Sequence, residues 1–337
     1  MPTTTPQINF GAGSSVSIDT VEIQDPAGNQ LLVKATRSLI SAGTEFNMLE
    51  SPTQETRAPG YSLVGHVVEI GGEVEGYGVG DRVLTYLKHQ GAGLITMDPD
   101  IDSRWGCGDA DHIPDDLSDE DATFVVLGDV ALHGVRRAGP SIGDSVAVFG
   151  QGSLGQMVTQ FARMAGAYPV IGVDLLDERL QLAERSGASH TVNAGRDDPV
   201  SAIQEITGGG ARFVFMVTRT PKILPDCMRA AAAGGTVSMT GSPPGTVEIG
   251  LQEELLRKEL RIIGTHQGLY PRTPFHHFQW TRGANRQFIF DAMSREEFRV
   301  AHLISHHVPY QEAPNMYDMI ARGPEGWQSI ILEWDGP

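Results

Sequence analysis

The chain has 337 residues, 40% of them hydrophobic, which is enough for about two domains of roughly 150 residues each. Its 42 acidic residues outnumber the 25 basic ones, and a formal net charge of -17 argues against a nucleic-acid or anionic-membrane partner, because Lys and Arg bind such surfaces. The start of the chain is polar and no apolar run reaches the ~20 residues that span a bilayer, so we expect a cytoplasmic protein without a leader or membrane segment.

The first part of the chain, up to about residue 86, is typical of short strands separated by glycine and proline turns. The segment "LLVKATRSLI" alternates apolar and polar residues like a half-buried strand. The segment "LVGHVVEIGGEVEGYGVGDRVLTYL" contains two or three β-rich runs broken by glycines. This pattern predicts a small, twisted, β-barrel-like domain. Residues 88–113 are predicted to form a loop with one strand. Ser118 is then the predicted N-cap of a helix that has three acidic residues in its first turn.

The pattern changes after Pro140 to alternating strands and helices. Apolar runs of strand length ("SVAVFG", "YPVIGVD", "RFVFMVT", "GTVSMTG") are separated by segments with helical spacing ("LGQMVTQFARMAGA", "DERLQLAERSGA"). This alternation predicts an α/β domain with a doubly wound parallel sheet. Past Gly264 an aromatic, His-rich stretch leads to a helix around "NRQFIFDAM" and a closing strand–helix–strand that is similar to the first region.

A glycine-rich turn follows the apolar run Val146 to Phe149. Gly150 is suited to the tight turn, Gly152 to close approach of a pyrophosphate, and Gly155 to close packing of helix on strand. The helix that begins at Ser153 and Leu154 offers unpaired N–H groups to the phosphates. The sequence therefore predicts a dinucleotide site of the Rossmann kind.

Asp174 ends the next strand, 24 residues after Gly150, where about 20 are expected. A carboxylate there accepts hydrogen bonds from an adenosine ribose and repels a 2′-phosphate, so we expect NAD rather than NADP. Arg179 either lies over the adenine ribose or is solvated on its helix. Three residues at the ends of the next two strands are assigned to the same cofactor site: Val217, Thr240 and Ser242.

The whole chain resembles the medium-chain dehydrogenase/reductase superfamily, in its zinc-type alcohol dehydrogenase branch. The resemblance rests on "SAGTE", "GYSLVGHVVEIG", "VGDRV", "ALHGVRRAG", "GQGSLG", "GVDLLDERLQLAERSGA" and the closing strand–helix–strand. "SLISAGTE" is most similar to the subgroup of bacteriochlorophyllide dehydrogenase and two-domain sugar oxidoreductases. The resemblance implies a GroES-like substrate domain from residues 1–126 and 264–337 and a Rossmann NAD-binding domain from 127–263. It also implies a homodimer, for which "TVEIGLQEELL" and "ELRIIGT" would supply the sheet edge.

The zinc ligands that the resemblance implies are missing. A catalytic zinc needs three protein ligands, and their positions fall on Ala42, on Tyr61 and near Val126. The glutamate that follows the family's histidine is replaced by Ser62. The family's four-cysteine lobe is also absent, because the two cysteines are isolated and form no Cys-x-x-Cys pair. They are Cys107 and Cys227. We therefore expect no metal.

Without zinc, a proton donor or a cation must lie near the substrate oxygen. The resemblance implies that Thr44 relays a proton and that Glu45 is an acid next to the site, although Glu45 is equally explained as a salt-bridge partner. Tyr61 takes the place of the lost histidine, either as a proton donor or as a ring that fills the cavity. Lys88 and His89 follow "VLTYL", where the family lines its substrate pocket, but a solvated loop explains them equally well.

Other candidate residues have plain structural explanations. The resemblance places Asp129 near the nicotinamide end, where a capping or backbone-bonded role is the alternative. His133, four residues later, is best explained as a packed helix histidine. Two histidine pairs are interpreted as non-metal, because neither has a carboxylate or cysteine neighbour in sequence: His276-His277 and His306-His307.

These features favour a zinc-independent, NAD-dependent oxidoreductase. Its predicted substrate is a small molecule, the alcohol or carbonyl form of a sugar, cyclitol or secondary metabolite. The alternatives are an NAD(P)H-dependent C=C (enoyl or quinone) reductase, a redox-neutral epimerase or lyase that retains NAD, and a non-enzymatic nucleotide-binding protein. Asp174 argues against the C=C reductase, because such enzymes generally prefer NADPH and lack this acid.

Overall fold

The computed structural model describes residues 3–51, 55–97, 110–266 and 280–334. The strands are β1 (Thr3–Phe10), β2 (Val16–Ile23), β3 (Gln30–Leu39), β4 (Leu63–Ile70), β5 (Arg82–Thr85), β6 (Ala92–Thr96), β7 (Ala110–His112), β8 (Val146–Phe149), β9 (Val170–Asp174), β10 (His190–Asn193), β11 (Ala211–Met216), β12 (Ala231–Met239), β13 (Arg261–Gly264), β14 (Ile304–Pro309) and β15 (Ser329–Glu333). The α-helices are α1 (Ala42–Leu49), α2 (Asp119–Ala122), α3 (Val125–Ala138), α4 (Ser153–Met164), α5 (Asp177–Arg185), α6 (Pro199–Thr207), α7 (Leu224–Ala230), α8 (Arg282–Ser294) and α9 (Ala313–Arg322).

The chain divides into two compact units. The β-rich unit consists of Met1–Val126, Phe290–Arg295 and Val300–Pro337. The parallel-sheet unit consists of Leu127–Ile289 and Glu296–Arg299. The predicted fold class, a Rossmann-type parallel sheet with a separate β-rich domain, is confirmed.

The β-rich unit joins the two ends of the chain in one sheet. Among the described residues this sheet has the order β14-β15-β3-β4-β5-β7, with β6 also paired to β3, and β1 pairs with β2 in a second sheet. The closing strand β15 runs antiparallel to β3, with Ile331 opposite Leu39. Apolar side chains of both ends share one core, in which Phe10 meets the ring of Tyr317 edge-on at 4.9 Å. Residues far apart in sequence are therefore neighbours around the end of β3.

The parallel-sheet unit has the strand order β10-β9-β8-β11-β12-β13 in its described part. Every pairing is parallel, and β8 and β11 have every residue or nearly every residue buried. Strand order reverses beside β8, which lies between β9 and β11. Ligands of such sheets bind at the carboxyl ends of the strands at this reversal.

The boundary near residue 264 differs from the expectation. Residues up to Ile289 group with the parallel-sheet unit, whereas the sequence placed the return to the first domain at 264. The reason is α8, because Asn285 bonds to Asp129 of α3 and Ile289 packs within van der Waals reach of Gly128. In the described part of the chain, no helix is both long and apolar enough to cross a membrane.

Candidate active site and cofactor turn

The glycine-rich turn between β8 and α4 has the geometry that a pyrophosphate needs. Gly150 has a φ of +96°, and a Cβ added to Gly155 would lie 1.8 Å from the Gly150 carbonyl oxygen. A Cβ on Gly152 would meet, within 4 Å, just the Arg179 guanidinium at 3.9 Å, so the surface of the turn is open there. Gly152 caps α4 without a side-chain hydrogen bond, which leaves the first N–H groups of the helix for an anion. The turn fits a dinucleotide.

Asp174 lies beside this turn because β9 pairs with β8. Its Oδ2 accepts from the Gln151 N–H at 2.7 Å, and its Oδ1 accepts from the N–H groups of Leu175 and Leu176 at 2.8 and 3.1 Å. A carboxylate has about four acceptor sites, so acceptor capacity remains for ribose hydroxyls. Asp174 therefore braces the turn in addition to the ribose role that the sequence predicts.

Arg179 lies at the turn and not in open solvent. Burial lowers the pKa of its guanidinium, and the Asp174 carboxylate partly opposes that shift. The guanidinium also lies beside Gly152, as noted above. Of the two alternatives that the sequence left open, this position favours contact with the cofactor.

The other predicted cofactor residues lie at the ends of β11 and β12. The Val217 N–H donates to the Phe149 carbonyl at 2.9 Å, which places Val217 next to the glycine turn. Thr240 is buried, and its hydroxyl lies 3.1 Å from that of Ser238. Ser242 is exposed in the loop after β12. Thr218, which sequence reasoning missed, also reaches the turn, because its methyl group would lie 2.9 Å from a Cβ on Gly150.

In the β-rich unit, the start of α1 and the 59–61 segment bring three hydroxyl groups together. Tyr61 Oη donates to Ser41 Oγ, and its phenol also interacts with the Thr44 hydroxyl. Burial raises the pKa of Tyr61 to about 12, the hydrogen bonds with Ser41 and Thr44 oppose the increase, and Glu45 adds to it. The phenol is therefore protonated at neutral pH, as a proton donor must be.

Glu45 is enclosed beneath this cluster, with 1% of its surface exposed. Its carboxylate accepts from the Ser41 N–H at 2.9 Å and from Tyr317 Oη at 2.5 Å, and lies 3.2 Å from His89 Nε2. Burial alone would raise the pKa of Glu45, but the charge and hydrogen bonds of these partners outweigh it and lower the pKa. The structure thus favours the salt-bridge interpretation, because a carboxylate with 1% of its surface exposed cannot touch a substrate.

His89 is also fully buried, contrary to the expectation of a pocket or solvated-loop residue. Its ring Nδ1 lies 2.8 Å from Ser38 Oγ, and its backbone N–H donates to the Pro59 carbonyl at 2.9 Å. A Cβ on Gly60 would lie 2.5 Å from the backbone nitrogen of His89 and 2.8 Å from Cγ of its ring, so the imidazole packs directly on Gly60. Lys88, one residue earlier, is exposed. His89 therefore joins β3, α1 and the 59–61 segment.

The positions of the family's zinc ligands are filled by groups that do not bind metal. Val126 is fully buried, and Ser62 is 2% exposed with its hydroxyl donated to the Thr123 carbonyl at 2.5 Å. Ala42 and Tyr61 offer no thiolate or imidazole. Across residues 3–51, 55–97, 110–266 and 280–334, no three His, Cys, Asp or Glu side chains are placed to hold a metal ion. These residues do not fit the catalytic zinc.

The remaining candidates have structural partners. Asp129 is fully buried and accepts from the Asn285 amide at 2.9 Å, so the structure places it between α3 and α8. Burial lowers the pKa of His133 to about 4, and nearby positive charges add to the shift, which fits a neutral packed histidine. His307 lies 3.1 Å from Glu333, a carboxylate neighbour that the sequence did not reveal. His276-His277 and Cys107 lie outside the described residues.

The fold and the cofactor turn together define a dehydrogenase-type oxidoreductase. The family described as "Zinc-binding dehydrogenase" matches residues 153–279. The L-threonine 3-dehydrogenase of Pyrococcus horikoshii is 30% identical over 279 residues, which cover 75% of this chain and 80% of that protein. The (R,R)-butanediol dehydrogenase of Bacillus subtilis is 34% identical over 193 residues, 52% of this chain and 56% of that protein.

Solved structures agree on the fold. A putative zinc-binding dehydrogenase from Sinorhizobium meliloti, bound to NADP, superposes with a TM-score of 0.80 at 23% identity, covering 98% of this chain and 99% of that one. The chain belongs to the medium-chain dehydrogenase/reductase superfamily, among its alcohol dehydrogenase-like members, as the resemblance predicted.

Proposed function

We propose that the protein is a zinc-independent, NAD-dependent oxidoreductase that transfers a hydride between nicotinamide and a secondary alcohol or ketone of a sugar, cyclitol or secondary metabolite. The observation that carries the proposal is the hydroxyl cluster of Ser41, Thr44 and Tyr61. It stands where the family places its metal ligands, and its phenol is protonated at neutral pH. The names of both sequence relatives denote oxidation of a secondary hydroxyl, which supports the substrate class.

The cofactor supplies the hydride acceptor or donor, and the chain supplies its binding site. The open surface at Gly152 and the N-terminus of α4 suit the pyrophosphate, and Asp174 has acceptor capacity for the ribose. The Asp174 carboxylate would repel a 2′-phosphate, whereas Arg179 nearby would attract one. The carboxylate decides the proposal, because Asp174 is held at the turn by the N–H groups of Gln151, Leu175 and Leu176, where it would face the ribose 2′-position.

The hydroxyl cluster supplies the proton for the reaction. When a carbonyl is reduced, its oxygen gains negative charge as the hydride reaches carbon, and Tyr61 Oη–H gives its proton to that oxygen. When an alcohol is oxidised, the same path runs in reverse. Thr44, which is exposed at the start of α1, is placed to hydrogen-bond the phenol or the substrate hydroxyl.

The direct test combines metal analysis with turnover. We expect elemental analysis of purified protein to find well under one zinc per chain, because the three ligand positions offer no thiolate, imidazole or carboxylate. We also expect NADH to form from NAD and (R,R)-2,3-butanediol, L-threonine or a polyol panel, at a rate unchanged by a strong chelator. Stoichiometric zinc whose removal stops the reaction would overturn the metal-free proposal. NAD that stays bound through purification, with no net NADH formed, would favour the redox-neutral alternative.

Asp174 should set cofactor choice. Asp174→Ala removes the ribose acceptor and the brace on Gln151, so NADH should bind about thirtyfold more weakly, equivalent to about 2 kcal/mol. NADPH loses the brace but also a repulsive charge, so its affinity should fall less or rise. Fluorescence titration with both nucleotides measures the ratio, and Asp177→Ala, an exposed carboxylate paired with Arg196, is the matched control. An unchanged NADH/NADPH ratio would contradict the ribose assignment.

We further propose a homodimer formed along the outer edge of β13. Within the described part of the chain β13 pairs with β12 alone, so its other edge keeps unpaired backbone groups. The sequence pattern predicts that "TVEIGLQEELL" contributes to this edge, but residues 251–256 form a π-helical turn. The side chains of Leu251 and Leu256 in this turn are 64% and 71% exposed. Light scattering should give about twice 36.3 kDa at micromolar concentration, and Leu256→Asp should weaken the assembly. A single species of 36.3 kDa would contradict the proposal.

A further inference from the structure

Ser41 connects the proposed proton donor to the buried ion pair. It precedes α1 and is 7% exposed. Its N–H donates to Glu45 Oε1 at 2.9 Å, and its Oγ accepts the hydrogen bond from Tyr61 Oη. The backbone of this serine is therefore held by one group, while its side chain contacts another. Ser41 has no role of its own in the proton transfer proposed for Tyr61 and Thr44.

We propose that Ser41 is the positioning residue for Tyr61, accepting from the phenol at rest and donating to the phenol oxygen as the proton leaves for the substrate. The inference rests on the proposed function. In the step itself the Tyr61 O–H bond breaks and a bond forms between that proton and the substrate oxygen. Ser41 keeps its own proton and reverses the direction of its hydrogen bond, which a hydroxyl can do because it is both donor and acceptor.

The position of Ser41 is fixed by side chains from distant parts of the chain. Tyr317 and His89 both contact the Glu45 carboxylate, which in turn holds the Ser41 N–H. His89 also fixes the 59–61 segment, since its backbone N–H donates to the Pro59 carbonyl. One buried pair thus holds both the serine and the segment that carries Tyr61. The separation of the two hydroxyl groups is therefore set by the core and not by the exposed side chain of Thr44.

A reversible hydroxyl suits this place better than a charged partner. As the phenol loses its proton, negative charge grows on Tyr61 Oη beside Glu45, whose carboxylate opposes it. A hydrogen bond donated to that oxygen offsets part of the repulsion, and bonds to charged groups are the stronger ones. Loss of this bond alone is expected to slow the reaction by about 10- to 100-fold.

The test follows the Tyr61 phenol directly and needs no substrate. Protein labelled with ¹³C at the tyrosine ring ζ carbon gives one resonance for Tyr61, identified by its loss in Tyr61→Phe. Ser41→Ala should shift that resonance, and Ser41→Thr, which keeps a hydroxyl, should restore it. Ser62→Ala is the control, because this buried neighbour donates to the Thr123 carbonyl and should leave the resonance in place. An unchanged resonance in Ser41→Ala overturns the inference.

Turnover gives the second readout, with NAD and (R,R)-2,3-butanediol as probes. Ser41→Ala should lower kcat by about 10- to 100-fold while KM and the NADH Kd stay near wild type, and Ser41→Thr should recover most of the rate. A normal kcat in Ser41→Ala beside a slow Tyr61→Phe overturns the role of Ser41. A normal rate in Tyr61→Phe overturns the proposed donor instead. If the wild-type protein does not oxidise (R,R)-2,3-butanediol, this alcohol is rejected as a substrate. The Tyr61 resonance then still tests the hydrogen bond between Ser41 and Tyr61.

Discussion

Replacing Gly155 with alanine is expected to destabilise the parallel-sheet unit by about 3 kcal/mol and to abolish measurable NADH binding. Helix propensity alone predicts the opposite sign, because alanine is favoured over glycine inside a helix by about 1 kcal/mol. The steric term dominates, since the added Cβ would lie 1.8 Å from the Gly150 carbonyl oxygen and 2.9 Å from its carbon. Both atoms belong to backbone that already has a positive φ of +96°, so the turn cannot yield cheaply.

Gly152 provides the matched control for this substitution. Its φ of -67° suits any residue, and a Cβ there would meet Arg179 at 3.9 Å. Gly152→Ala should therefore cost no more than about 1 kcal/mol, the difference between glycine and alanine at an N-cap. Its methyl group would nevertheless lie where the pyrophosphate approaches, so NADH affinity should fall at least about tenfold.

Urea unfolding and NADH fluorescence titration of the two variants separate fold from binding. The pair should show one variant with low stability and one with near-normal stability but weak cofactor binding. If Gly155→Ala unfolded like wild type, the close helix–strand contact would be incorrect. If Gly152→Ala bound NADH normally, the cofactor phosphates would not lie at this turn.

Tyr61→Phe is expected to slow turnover by about 10²- to 10⁴-fold, the range for a positioned general acid. The substitution removes the phenol hydroxyl and keeps the ring, so the packing of that ring is spared. Because the pKa of Tyr61 is raised to about 12, wild type should keep its donor protonated through the neutral and mildly alkaline range. The pH profile of kcat should therefore show no loss of this acid until strongly alkaline pH.

Tyr77→Phe is the control for hydroxyl loss in the same unit. Its hydroxyl donates to the Ala110 carbonyl at 2.5 Å, away from the Ser41 cluster, so its rate should stay near wild type. Steady-state kinetics with NAD and the alcohol panel checks both variants. A near-normal rate in Tyr61→Phe would make Tyr61 a ring that fills a cavity, and Thr44 and Lys88 would become the candidates for the donor.

Short-range sequence patterns determined the cofactor turn. Gly150, Gly152 and Gly155 lie within six residues between a strand and a helix, so their roles follow from local backbone geometry. Asp174 is predicted to bind the ribose for the same reason, because it ends the next strand of a parallel sheet. The predicted loss of the zinc ligands also comes from the sequence, since the resemblance assigns each ligand to one position and the residue there is not a usual zinc ligand.

The buried ion pair was beyond the reach of such patterns. Glu45 and His89 are 44 residues apart, and Glu45 and Tyr317 are 272 apart, so only the tertiary fold brings them together, with Tyr317 supplied by the closing part of the chain. Burial then decides their role, because a carboxylate with three partners and 1% exposure stabilises its surroundings and does not meet substrate. The sequence left Glu45 as either an acid next to the site or a salt-bridge partner, and His89 as either a pocket residue or part of a solvated loop, since exposure cannot be read from residue type.

Ser41 takes part in one contact that a local sequence pattern predicts and in another that only the tertiary structure shows. The sequence holds a hydroxyl residue just before a helix with Glu45 four positions later, which is similar to half of a capping box. That pattern concerns the start of α1 alone and carries no information on Tyr61, which reaches Ser41 Oγ from another segment. The sequence by itself determined the fold class, the family and the cofactor turn, because these depend on local order along the chain. The tertiary structure decided which polar groups are enclosed and which pair across the sheet, because burial and long-range contacts exist only once the two ends of the chain have met.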